Sequence, residues 1–117
     1  MTKILIVEDE PDEAKSIELI LDREGFETDL AVDGDDAIQK ASACDIMLLD
    51  IILPKAHGDV VLKKMKAKGI DKPVIVLTAV SREVGIEDDL RKINPDITFI
   101  QKPFNANDLM KAIQSNL

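Results

Sequence analysis

The sequence predicts an α/β fold, a single domain built on a parallel sheet with helices on both faces. Short apolar runs alternate with longer stretches of helical spacing, five times over in 117 residues. Runs of this kind suit strands buried on both faces, and their strict alternation with helices suits right-handed crossovers. The first, third and fourth runs end on polar residues, Glu8-Asp9, Asp50 and Thr78. Open α/β sheets bind their ligands at such carboxyl ends.

Lys3 to Val7 is the first strand, stopped by Glu8-Asp9-Glu10. Pro11 suits the first position of a helix, where its missing N–H costs nothing. Ala14, Ile17, Ile20 and Leu21 give that helix an apolar stripe, and Gly25 supplies a left-handed stop. Thr28 to Val32 reads as a short strand at a sheet edge; Asp33-Gly34-Asp35 then opens a helix with Ala37, Ile38 and Ala41 inward. The central stretch runs from Ile46 to Pro54, four apolar residues leading into Asp50. A carboxylate inside such a strand would be costly to desolvate, but at its end it sits at the mouth of a crevice. Pro54 to Gly58 read as a loop, and Val61, Leu62 and Met65 as the inner face of a third helix ended by Gly69. Val74 to Leu77 form a fourth strand ending at Thr78, and Ile86, Leu90 and Ile93 mark a fourth helix ended by Asn94-Pro95. Thr98 to Gln101 are the last strand, before Lys102-Pro103 and a fifth helix that Asn105 can cap, with Leu109, Met110 and Ile113 inward.

A chain of 117 residues can bury somewhat under ~70% of its unfolded surface, enough for a core without staples. The hydrophobic share of 45% argues against disorder. A net charge of -8 argues against nucleic-acid and anionic-lipid partners, and for a cationic ligand or a basic protein surface. Cys44 is the single cysteine, so no internal disulfide forms; a small core filler in a reducing compartment is the expectation. Ile4 to Val7 is too short for a secretory core, and no stretch approaches a membrane span. The expected protein is soluble and cytoplasmic, with residues 1–117 forming one domain and no effector domain in the chain.

Parallel strands bring Glu8, Asp9, Asp50 and Thr78 to one edge, and Lys102 follows the fifth strand there. Converging carboxylates raise one another's pKa, and a divalent cation relieves the repulsion. Hard oxygen donors with room for water and phosphate suit Mg2+. Lys102 suits a charge partner for Asp50 or for a phosphoryl oxygen, and the Thr78 hydroxyl can donate to an incoming anion.

On these residues the chain resembles the response-regulator receiver domains of two-component signalling over essentially its whole length. Glu8-Asp9 match the acidic pair, Asp50 the phospho-accepting aspartate, Pro54 and Gly58 the following loop, Thr78-Ala79 the hydroxyl and its small neighbour, Lys102-Pro103-Phe104 the lysine motif, and Phe99 the switch aromatic. The resemblance implies a flavodoxin-like (βα)5 fold of strand order 2-1-3-4-5. It implies that Asp50 accepts a phosphoryl group from a sensor histidine kinase or a histidine phosphotransfer protein. Glu8, Asp9, Asp50 and the Ile52 backbone carbonyl would hold Mg2+, and Thr78 and Lys102 would contact the phosphoryl oxygens. Output would pass through the fourth helix, fifth strand and fifth helix to a downstream protein, from a monomer or a weak phosphorylation-dependent dimer. The sequence departs from the family at His57, at Asn94-Pro95-Asp96-Ile97, and at Phe99, which lacks the common tyrosine hydroxyl.

Two other functions fit less well. An aspartyl-phosphate hydrolase of the haloacid-dehalogenase type uses Asp-x-Asp, but Ile52 stands at the second position and cannot donate a proton. A flavodoxin-like electron carrier needs a hydroxyl- and glycine-rich loop after the first strand, whereas Glu8-Asp9-Glu10-Pro11 would repel a flavin phosphate. The expectation is a signalling switch rather than an enzyme, catalysing only its own phosphorylation and a slow autodephosphorylation.

Overall fold

Strand and helix alternate as the apolar periodicity requires. The computed structural model describes residues 2–50, 58–78 and 86–117. In chain order these form β1 (Lys3–Val7), α1 (Pro11–Arg23), β2 (Glu27–Ala31), α2 (Gly34–Ala41), β3 (Ile46–Asp50), α3 (Gly58–Ala67), β4 (Val74–Thr78), α4 (Ile86–Ile93), β5 (Thr98–Gln101) and α5 (Ala106–Gln114). The sheet is parallel in the order β2-β1-β3-β4-β5, the expected flavodoxin-like topology.

Side chains alternate across the pleat and divide the core in two. Leu5, Val7, Met47, Leu49, Val74 and Val76 pack toward α2, α3 and α4. Ile4, Ile6, Ile46, Leu48, Ile75 and Leu77 pack toward α1 and α5. The three inner strands are buried almost throughout because both faces are covered. Cys44 is buried as a core filler, its Sγ donating to the Ala41 carbonyl at 3.1 Å.

Local chemistry sets the helix ends. Pro11 begins α1, and Gly25 and Gly69 adopt positive φ after α1 and α3, the left-handed conformation a side chain resists. Asp33 caps α2 by accepting from the Asp36 N–H. Asn105 caps α5 in a reciprocal box with Asp108. Two expectations shift. The edge strand runs from Glu27 to Ala31, because Lys3 pairs with Glu27 and Val7 with Ala31. Val32 therefore lies beyond the strand, 59% exposed. Gly58, expected to end a loop, is the buried first residue of α3. Pro54 and His57 lie outside the described residues.

Candidate site at the strand carboxyl ends

Register alone brings the polar residues together. Val7 pairs with Leu49, so the residues that follow them, Glu8 and Asp50, stand level. Asp50 pairs with Leu77, and Thr78 pairs with Gln101, which puts Lys102 one step past the same edge. The Lys102 N–H donates to the Thr78 carbonyl and continues the ladder beyond β5.

The environments of these groups differ sharply. Glu8 is 3% exposed and Asp50 9%, whereas Asp9 is exposed. One oxygen of each of the three carboxylates lies within 4.8 Å of the other two. Glu8 Oε1 accepts from the Glu10 N–H at 3.2 Å. Glu8 Oε2 is buried without a hydrogen bond, and the Lys102 ammonium is 3.6 Å away. Burial first, and then the facing Asp50 carboxylate, push the Glu8 pKa up to about 8.

Lys102 is the positive centre of the cluster. Its Nζ donates to Asp50 Oδ2 at 3.0 Å and to Glu13 Oε2 at 3.2 Å. Burial alone would lower its pKa, but the hydrogen bond and charge of Asp50, with Glu8 and Glu13, outweigh burial and hold it above the ordinary lysine value. Thr78 is buried, and its Oγ1 donates to the Ile100 carbonyl at 3.4 Å. Beside it on β5, the half-buried Phe99 carries the Arg91 guanidinium of α4 over its ring, 4.6 Å from the centroid.

The structure thus gathers Glu8, Asp9, Asp50, Thr78 and Lys102 at one edge. Phe99 lies behind them on β5, while Ile52 lies outside the described residues. The carboxylates fit a hard divalent cation, being oxygen donors whose mutual repulsion a 2+ charge relieves. The hydrogen-bond-free Glu8 Oε2 supports the same assignment, since a buried carboxylate oxygen of this kind calls for a cation. Sequence reasoning missed Glu13 and Arg91. Glu13 falls in the first turn of α1, where an acid is already explained by the helix dipole. Its contact with Lys102 spans 89 positions and leaves no local signal.

Comparison with known proteins gives a consistent answer. Residues 4–114 match the family model described as the response regulator receiver domain. The chain is 39% identical over 114 residues to the transcriptional regulatory protein DltR of Streptococcus agalactiae, covering 96% of this chain and 50% of that protein. It is 36% identical over 126 residues to the sensory transduction protein RegX3 of Mycolicibacterium smegmatis, covering 100% of this chain and 51% of that one. The chain therefore spans about half the length of these curated relatives. One similar solved structure is the receiver domain of a Pseudomonas aeruginosa sensor histidine kinase, with a magnesium ion coordinated in its active-site cleft. It shows 28% identity and a TM-score of 0.85, covering 98% of this chain and 96% of that one. Another is the signal receiver domain of a LuxO repressor protein from Vibrio parahaemolyticus, at 27% identity and a TM-score of 0.89, covering 98% and 88%. Among the described residues, no helix is long and apolar enough to cross a membrane.

Proposed function

This chain belongs to the response regulator receiver domain family of two-component systems, and from that premise we propose that Asp50 accepts a phosphoryl group from the phosphohistidine of a kinase or phosphotransfer protein. The observation that carries the reading is the Asp50 carboxylate at the end of β3, with Lys102 Nζ at 3.0 Å and the Glu8 and Asp9 carboxylates alongside. An Asp50 oxygen attacks phosphorus. The new O–P bond forms as the P–N bond breaks, and the departing imidazole nitrogen keeps the electron pair. Such a transfer is governed by positioning and charge neutralisation, and the resulting acyl phosphate is labile enough for a transient signal.

Glu8, Asp9 and Asp50 would hold Mg2+, which when bound supplies positive charge toward the phosphoryl oxygens. Lys102 turns one of its N–H donors to a phosphoryl oxygen. Thr78 exchanges its 3.4 Å bond to the Ile100 carbonyl for a bond to another. As that hydroxyl turns, Phe99 can move toward the vacated space, and the face of α4, β5 and α5 repacks for a partner protein. The same reading makes the chain a cytoplasmic switch rather than an enzyme that releases a product. Its net charge of -8 favours a protein surface over nucleic acid as the direct partner of this domain.

The test is incubation with Mg2+ and acetyl phosphate, followed by intact mass. The parent should gain one labile phosphoryl increment. Asp50→Asn should gain none while unfolding at a similar temperature, and Asp88→Asn, at an exposed acid of α4, should behave as the parent. An Asp50→Asn protein that is phosphorylated at the parental rate would exclude Asp50 as the acceptor.

A further inference from the structure

We propose that Glu13 is a positioning residue that restrains Lys102 and slows phosphorylation of the resting site; the inference rests on the phospho-accepting reading of Asp50. The lysine ammonium has three N–H donors and three carboxylates around it, Asp50 at 3.0 Å, Glu13 at 3.2 Å and Glu8 at 3.6 Å. Two of its donors are therefore committed, to Asp50 and Glu13, before any phosphoryl group arrives, while Glu8 Oε2 stands near it without a hydrogen bond. Asp50 is the nucleophile, and Glu8 belongs to the carboxylate cluster. Glu13 belongs to neither role. Its side chain is also the most open of the three, 50% exposed, against 12% for Asp50 and 1% for Glu8.

Glu13 also lines the approach. It stands in the wall of a groove of about 570 Å³ between α1 and the segment after β5, lined also by Glu8, Lys102, Ile17, Ile20 and Phe104. An anionic phosphodonor entering beside Lys102 meets this carboxylate twice. It is repelled by the charge, and it competes with Glu13 for an N–H of the ammonium. Displacing Glu13 is the exchange that frees the lysine without uncovering the nucleophile. Local charge favours the same conclusion, since Glu8, Glu13 and Asp50 place three carboxyl groups around one ammonium, and Asp9 adds a further carboxylate beside Glu8 and Asp50.

The experiment measures the rate of phosphoryl incorporation from acetyl phosphate with Mg2+, by intact mass, in the 117-residue chain. Glu13→Gln should react roughly three- to tenfold faster than the parent at low salt, the scale of one unit charge removed a few ångströms from the reacting anion. Its advantage should shrink toward 1 M salt, where the Debye length falls to about 3 Å. Glu13→Asp keeps the charge and should restore the slow reaction. Glu24→Gln removes an equal charge from the far end of α1 and should change nothing. A loosened helix would not reproduce this salt dependence or its rescue by aspartate. The proposal is overturned if Glu13→Gln reacts no faster than the parent, if Glu13→Asp reacts as fast as Glu13→Gln, or if Glu24→Gln accelerates the reaction equally. If the parent gains no phosphoryl group at all, the acceptor reading of Asp50 fails, and the role of Glu13 falls with it.

Discussion

Replacing Glu8 by glutamine should stabilise the metal-free protein, by an amount that grows with pH. Glu8 is 3% exposed, and its pKa is pushed from 4.5 up to about 8, by burial first and by Asp50 second. The sign follows from proton linkage. Between those two values the folded chain keeps a proton that the unfolded chain has released, so stability falls as pH rises through this window. Below pH 4.5 both states hold the proton, and the carboxylate causes no loss. A pKa difference of one between the folded and unfolded chain corresponds to about 1.4 kcal/mol, so the whole window amounts to roughly 5 kcal/mol and the part below pH 7 to roughly 3 kcal/mol. Glutamine resembles the protonated acid, since it is neutral and can donate to Asp50 as a protonated Glu8 would. Allowing for relaxation around the new amide, the variant should gain on the order of 2 kcal/mol at neutral pH, or roughly 8 °C in Tm for a domain of this size. The raised Lys102 pKa does not interfere, because it acts only at and above the ordinary lysine value of 10.5. The assay is urea and thermal unfolding of both proteins in EDTA at about pH 5, 7 and 8. Added Mg2+ should favour the parent instead, with an affinity that rises toward pH 8 as the Glu8 proton is displaced. A Glu8→Gln protein less stable than the parent at pH 8 without metal, or a difference that does not shrink toward pH 5, would refute the crowded-carboxylate argument.

Two further outcomes test the output face. Thr78→Ala should still accept the phosphoryl group, more slowly, but lose most of the amide shifts around Phe99 that beryllofluoride induces in the parent; a full parental response between Ile86 and Leu117 would mean that the hydroxyl is not the trigger. The Arg91 guanidinium over Phe99, 4.6 Å from the ring centroid, ties α4 to β5. A double-mutant cycle of Arg91→Gln with Phe99→Leu, read by urea unfolding, should give a coupling of about 0.5–1 kcal/mol, and a coupling of zero would remove Arg91 as a restraint on the ring.

The order of strands and helices was legible in the sequence because each element signals itself within a short window. Apolar runs separated by helical spacing, Pro11 at a helix start, Gly25 and Gly69 at helix ends and the Asn105 cap depend only on local backbone chemistry. The same alternation places every strand end on one edge, so Glu8, Asp9, Asp50, Thr78 and Lys102 could be grouped before any distance was known. The receiver family was legible for the same reason, since its motif residues fall at those ends. Tertiary structure decided what each member of the group experiences. Glu8 and Asp9 are adjacent acids of similar chemistry, yet one is buried and the other exposed, because burial depends on which elements close over a side chain. The bounds of β2 were set by its pairing with β1 rather than by its own composition. The contacts of Glu13 with Lys102 and of Arg91 with Phe99 join different elements. Their geometry comes from how helices pack on the sheet, and no short window of sequence carries that information.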